Sequence, residues 1–507
     1  MPKYVLCVDR GTTAIKATLF DLQAREIACS AQPCPPIEKP HAGWCEQDLD
    51  LVWEKTVAAI QMLLRQGYDP MDIVSIGVSG MGNGLNLLDK EGRPTRKCIT
   101  SLDSRAEDIT RKWRENERIG QLLKRTGSTF IVACTPMAIL RWVKDNEPEV
   151  YEKSEYMIYS KDWVRYCLTG VISTDYTDTS GSLLVDLDTN EYVHDLFREL
   201  GLEKLSTLLP TPKRSYEVAG HVTAAAAALT GLTEGTPVIA GAHDIAACSY
   251  GCGGTDSGHL ALIFGTVGLS LGVLEQNRVP YGLSIQSVLP DRWLFSSCIQ
   301  GAGAVLDWLL QNLFTHESYL AKQAGESVFV TIDRELAKRR RTNILCHPFL
   351  FGKNDPAFAR SNILGIGSWH DKYDILLAYY QGIVQAFYEE NKCLLDANDI
   401  REVWLVGGGS KSKIFGQIFA DVIGKPVHIP AFSEATGRGV ALCCLIQLGI
   451  IGPKDTEIPH TIQERSAYTP DEDSHRWYME QFQRFTQEES RLIPLWKWQN
   501  AEETSST

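Results

Sequence analysis

Val5-Leu6-Cys7-Val8-Asp9-Arg10-Gly11-Thr12-Thr13-Ala14-Ile15-Lys16-Ala17-Thr18-Leu19-Phe20-Asp21 is the stretch whose reading decides the fold. An apolar run rich in strand formers ends on a carboxylate, a Gly-Thr-Thr turn follows, and β-type alternation resumes at Lys16, which predicts a hairpin. Gly11 lets the backbone turn tightly and approach a ligand, while the Thr12 and Thr13 amides and hydroxyls can donate to phosphate oxygens. Asp9, at the strand tip, can hold a magnesium ion. The bland alternative is an ordinary hairpin with a polar turn.

The chain repeats the device. Leu260 to Phe264, Gly265-Thr266 and Val267 to Val273 again read as strand, turn and strand, with Phe264 where the carboxylate stood. A second pair of apolar strands, Ile73 to Val78 and Glu402 to Val406, runs into the Gly/Ser turns Ser79-Gly80 and Gly407-Gly408-Gly409-Ser410. Strand ends of this kind hold ligands in open α/β sheets. Two like halves around one nucleotide are the expectation, with internal repetition as its warrant.

Composition sets the limits. At 507 residues, 44% hydrophobic and 22% charged, the chain is too long for a single core and is expected to divide. The expected division is 1–250, 251–490 and a tail 491–507, with disorder-like composition only over 501–507. A net charge of -13 argues against nucleic acid as a partner, because a phosphate backbone demands clustered cations. Lys338-Arg339-Arg340-Arg341 is read as a solvated helix end. No apolar run is long enough to cross a bilayer, and Met1 to Tyr4 leads straight into the first strand, so no membrane association and a cytoplasmic location are expected. The 14 cysteines lie mostly in apolar runs as buried thiols, and Cys248 with Cys252 lacks the further ligands a metal site needs. Whether the chain forms a homodimer is left open.

Further along, Leu51 to Leu64 has helical spacing, Gly80-Met81-Gly82-Asn83-Gly84 is a flexible turn, and Ser101 is expected to open a helix reaching about Glu115. Asp103 near that start either serves the helix dipole or binds a hydroxyl. Ser160 to Trp163 and Thr174 to Asp178 are expected to brace a pocket. Thr236 to Ala247 repeats strand, glycine turn, carboxylate and helix. Asp244 there can cap the helix or accept a proton, and His243 is the weaker candidate because a histidine in a turn is more often structural.

The ordered set Asp9-x-Gly11-Thr12-Thr13, Gly43-Trp44-x-Glu46, Thr174-Asp175-Tyr176, Gly241-x-x-Asp244, Gly265-Thr266, Gly301-Ala302-Gly303, Gly407-Gly408-Gly409 and Glu434-Ala435-Thr436-Gly437-x-Gly439 resembles the FGGY carbohydrate kinases over nearly the whole chain. The resemblance implies an α/β fold of two actin-like (ribonuclease H-like) ATPase domains with the active site in an interdomain cleft that closes to exclude water. It implies ATP and Mg2+ as cofactors and a small sugar or polyol as substrate. Asp244 is implied as the catalytic base, and Asp9 with Asp244 as the metal ligands. Gly82, Asn83, Asp103, Cys134 and Asp244 are implied on the substrate side. For ATP the matching positions are Thr12, Thr13, Ala14, Lys16, Gly265, Thr266, Gly303, Asp307, Gly408, Gly409 and Lys413.

The turn Gly80 to Asp89 looks most like that of L-xylulose kinases, with erythritol kinases next. Glycerol kinases carry Arg-Glu where Gly82 and Asn83 stand. D-xylulose kinases carry Gln-Met-His where Met81, Gly82 and Asn83 stand. A ketopentose kinase of carbohydrate catabolism is the expectation, a polyol or D-xylulose kinase the alternative, and a nucleotide-driven switch of the same fold the reading from a different class.

Overall fold

The computed structural model describes residues 2–128, 131–277, 283–397 and 400–505. The opening stretch forms the predicted hairpin, β1 (Tyr4–Arg10) and β2 (Ala14–Asp21), closed by the Gly11 amide donating to the Ala14 carbonyl at 3.1 Å. β3 (Glu26–Pro33) continues it antiparallel, and β4 (Ile73–Gly80) lies parallel on the other side of β1. Beyond β4 come β5 (Val218–His221) and β6 (Pro237–Ile239), so the first sheet runs β5-β6-β4-β1-β2-β3, with the short β7 (Ala242–His243) paired to the end of β4. Ile15, Ala17 and Leu19 are fully buried, on the face that meets α1 (Leu49–Leu64). Asp48 caps that helix from its first-turn amides, and Val52, Thr56, Ala59, Ile60 and Leu63 form its inward stripe.

A second sheet repeats the scheme. β8 (His259–Phe264) and β9 (Gly268–Leu274) form the hairpin, β10 (Trp293–Ile299) extends it, and β11 (Glu402–Gly407) pairs parallel with β8. β12 (Val427–Pro430) follows in parallel and β13 (Glu464–Tyr468) closes antiparallel, giving β10-β9-β8-β11-β12-β13, with a short further strand, Leu283–Gln286, at the edge beyond β10. Apart from that edge strand the order is that of the first sheet, and from β9 to β13 the parallel and antiparallel pairings match those from β2 to β5.

Register corrects one detail of the repeat. Asp9 lies beside Ser79 and Arg10 beside Gly80, while Ile263 lies beside Val406 and Phe264 beside Gly407. The residue in Asp9's place is therefore Ile263, and Phe264 answers to Arg10.

Contacts divide the chain into a unit of 1–256, 273–295 and 434–461 and a unit of 257–272, 296–433 and 462–507. The first crossing falls near the expected cut at 250, but two later segments return to the first unit, so the units are not single stretches. Position 491 is no boundary, because α9 (Glu472–Ser505) runs through it; positions 506 and 507 lie outside the described residues. Among the described residues no helix is long and apolar enough to cross a membrane.

Other expectations shift in detail. The helix expected from Ser101 begins only at Glu107 and ends at Arg114, leaving Asp103 upstream of it. α6 spans Lys372–Ala397 and α8 spans Ala435–Gln447. The basic run is not simply solvated: Arg339 meets Asp371 and Asp374, Arg340 meets Asp471, and Arg341 stacks over Trp477. All the cysteines are free thiols, Cys248 and Cys252 buried among them.

Candidate active site

In the first unit, the carboxyl ends of β1, β4 and β7 bring together Asp9, Ser79 and the peptide entering Asp244. Parallel strands end here with loops free to carry ligand groups. Asp9 Oδ1 accepts a hydrogen bond from Ser79 Oγ at 2.8 Å, which fixes its rotamer. Burial pushes the Asp9 carboxyl up, against Ser79, Lys16 and Arg10, which favour the anion.

Asp244 opens α4 (Asp244–Gly251) directly after β7. Its Oδ1 accepts from the Ile245 amide at 2.7 Å and lies 3.3 Å from His243 Nε2. Its side chain is 32% exposed, so one edge of the carboxylate remains open. Burial pushes Asp244 up to about 6; the imidazole opposes the shift, and the charges of Asp9 and Asp178 add to it. The charge of Asp9, from a separate part of the chain, is thus felt at Asp244. Burial lowers His243, which favours its neutral form.

Of the residues expected on the substrate side, Gly82 and Asn83 lie in the turn after β4 and Cys134 contacts it. Gly82 is buried with no room for a side chain, since a Cβ would come 2.4 Å from His243 Nε2. Asn83 holds a left-handed backbone, φ 57°, and its Oδ1 accepts from Ser182 Oγ at 3.5 Å. The Cys134 carbonyl receives the Gly84 amide at 2.9 Å, and burial raises its thiol to about 11, so it stays neutral. Asp103 is fully engaged. Its oxygens receive the Cys45 amide at 2.6 Å, the Arg105 amide at 2.9 Å and the Arg105 guanidinium at 2.9 and 3.0 Å. Arg105 in turn stacks on Trp44 and Trp142 and binds Glu46.

Sequence reasoning underrated what lies beneath. Lys161, on α2 (Ser160–Thr169), is fully buried with its ammonium 2.7, 2.8 and 2.9 Å from Asp162, Asp175 and Asp178. Arg165 binds Asp162 at 2.8 Å. Two cations face three carboxylates, and the unbalanced acid is Asp178, which burial pushes up to about 8.

On the β1–β2 hairpin, Thr13 is exposed, Thr12 and Ala14 are half-buried, and Lys16 holds both oxygens of Glu434 at 3.0 and 2.9 Å. That partner, 418 residues away, was not foreseen.

In the second unit, Gly265 and Thr266 form the β8–β9 turn. The Gly265 carbonyl accepts from Gly303 N at 2.8 Å, and the Thr266 carbonyl from Ala302 and Ala304 N, both at 3.1 Å. The turn therefore sits on the start of α5 (Gly303–Leu313), where Asp307 is exposed. Gly408 and Gly409 follow β11, next to β8, and Gly409 packs against the Phe264 ring. Lys413 begins α7 (Lys413–Ile423), its amide bound to Asp333 at 3.2 Å and its side chain exposed. The nucleotide candidates from three separate stretches thus share the carboxyl ends of β8 and β11.

Both halves of the chain match one family of known proteins. Residues 4–251 match the N-terminal domain of the FGGY family of carbohydrate kinases, and residues 260–448 match its C-terminal domain. The L-xylulose/3-keto-L-gulonate kinase of Escherichia coli is 30% identical over 496 residues, 96% of each chain. A probable L-xylulose kinase of Haemophilus influenzae is 28% identical, over 95% of this chain and 97% of its own. The crystal structure of a xylulose kinase from Rhodospirillum rubrum superposes with a TM-score of 0.87 at 26% identity, covering 98% of this chain and all of that one. Matched by both family domains in order, and carrying the doubled actin-like sheet that such an enzyme requires, this chain belongs to the FGGY family of carbohydrate kinases and is an ATP-dependent sugar phosphotransferase.

Proposed function

We propose that the chain phosphorylates a hydroxyl of a ketopentose, L-xylulose before others, with Asp244 as the general base. The observation that carries this is the Asp244 carboxylate: poised near 6, open on one edge, and tethered through one oxygen only. As the sugar oxygen attacks the γ-phosphorus, Asp244 takes its proton while the bond to the leaving ADP oxygen breaks. Thr12, Thr13, Ala14 and Lys16 on one hairpin, and Gly265, Thr266, Gly303, Asp307, Gly408, Gly409 and Lys413 in the second unit, are the groups we assign to ATP. Gly82, Asn83, Asp103 and Cys134 are assigned to the sugar side, Asp103 acting through the Arg105 stack it orders.

Asp9 and Asp244 fit a hard cation, being two carboxylates of which the Asp9 charge is felt at Asp244, with Ser79 fixing Asp9. Bound there, Mg2+ would neutralise phosphate oxygens. L-xylulose is favoured because two relatives matched over nearly their whole length are named for it. We place the enzyme in the cytoplasm, in carbohydrate catabolism, without a nucleic-acid or membrane partner.

The test is a coupled ADP-release assay with L-xylulose, D-xylulose, 3-keto-L-gulonate, erythritol and glycerol. Turnover is expected to be highest with L-xylulose, and the absence of turnover on every ketose would reject the substrate class.

A further inference from the structure

The ring of His243 occupies a slot made by two glycines. A Cβ at Gly82 would lie 2.4 Å from Nε2 and 2.7 Å from Cε1, and a Cβ at Gly181 would lie 3.0 Å from Nδ1. The ring is thus walled on both nitrogen edges by residues that have no side chain, one on the turn after β4 and one at the end of α3 (Tyr176–Gly181). His243 is 8% exposed, and its Nδ1 has no hydrogen-bond partner among the described residues.

Its backbone is held as firmly. The His243 amide donates to Thr177 Oγ at 2.8 Å, and that hydroxyl donates to Asp175 Oδ2 at 2.6 Å. Asp175 Oδ2 also receives the Thr177 amide at 2.9 Å and Ser215 Oγ at 3.0 Å, and Oδ1 lies 2.8 Å from the buried Lys161 ammonium. So α3 supplies both the clamp on the main chain and one wall of the slot.

We propose that His243 is the positioning residue for Asp244: its ring, locked between Gly82 and Gly181, directs Nε2–H at Oδ1 and leaves Oδ2 as the oxygen that accepts the substrate proton. This deepens the proposed function and rests on it. The 3.3 Å from Nε2 to Oδ1 is long for a hydrogen bond, as is common before substrate binds. The Ile245 amide already engages Oδ1, so a second donor on the same oxygen fixes the rotation of the carboxylate. With Nε2 as donor, Nδ1 is the bare acceptor edge, in keeping with its lack of a donor partner.

The experiment has a kinetic and a thermal arm. His243→Gln keeps an N–H donor, whereas His243→Leu fills the space without one. We expect kcat to fall by about 50-fold in the Leu variant and less than about 5-fold in the Gln variant, with the KM for sugar moving less than about 3-fold in both. Equal losses in the two variants would overturn the proposal, because a space-filling role does not distinguish them. In the thermal arm, Gly82→Ala is expected to lower the melting temperature by about 3 °C or more in the otherwise native chain and by much less in a His243→Ala background. Independent, additive losses would overturn the slot. The thermal arm needs no substrate, so it decides whether ring and glycine are coupled even if the native enzyme turns over no ketose, an outcome that rejects the proposed function instead.

Discussion

Asp244 sits at the start of a helix, where a carboxylate is ordinarily comfortable as an anion, yet burial and two neighbouring acids push it up to about 6. A base must be ionised to work, so kcat/KM for sugar should fall about tenfold per pH unit below 6 and level off above it. A profile flat from pH 5 to 7 would remove Asp244 from the role. Asp244→Asn should cut kcat by about a thousandfold or more while ATP still binds with little change, measured by calorimetry beside the turnover assay. A nucleotide-driven switch would lose little ATPase activity on that change. Asp9 and Asp244 were legible in the sequence because each ends an apolar run before a glycine or helix signal. The Lys16–Glu434 pair and the glycine slot around His243 were not, because they join residues far apart in the chain and depend on which atoms the fold leaves without a Cβ.

At the scale of elements, α4 and α8 cross at backbone distance. A Cβ on Gly439 would meet the Ala247 carbonyl at 1.8 Å, and one on Gly251 would meet the Ala435 carbonyl at 1.9 Å. Main-chain atoms cannot swing aside, so Gly439→Ala should cost about 3 kcal/mol in urea unfolding, and a loss under 1 kcal/mol would show that the helices part easily. The charge cluster between α2 and α3 makes a second prediction. Lys161→Met leaves buried carboxylates without their cation and should destabilise by about 3–5 kcal/mol. Asp178, raised to about 8, works with the opposite sign to a paired carboxylate. The stability gained from its proton is complete below the ordinary carboxylate range and is lost as pH rises through about 8. Asp178→Asn should flatten that decline in urea midpoints between pH 6 and 9. Helical periodicity made α1 readable to within a few residues. It failed at Ser101, where Asp103 uses its oxygens on Cys45 and Arg105 rather than capping a helix; the signal of a cap and that of an ion-paired turn are the same residue type.

Over the whole molecule, repetition in the sequence disclosed the doubled sheet, because strand, glycine turn and strand recur with the same polarity. The sharing of chain between units was hidden, since the segments 273–295 and 434–461 return to the first unit without any change of composition. The glycines of α8 allow it to meet α4. Asp9 is met by Ser79 and Asp162 by Lys161 and Arg165, so the cation is expected to serve the reaction and not the fold. Excess EDTA should therefore end sugar-dependent ADP release while moving the melting temperature of the ligand-free enzyme by less than about 1 °C.

Register also reveals an asymmetry inside the duplication: where one sheet sets an acid beside a hydroxyl, Asp9 and Ser79, its twin sets Ile263 beside Val406. Two hydrocarbons have no lone pairs to offer an ion, so at this register position the copies have parted company, one with oxygens a cation could use and the other with none. Manganese titrated into the protein should accordingly saturate this pair of strand tips at a single equivalent.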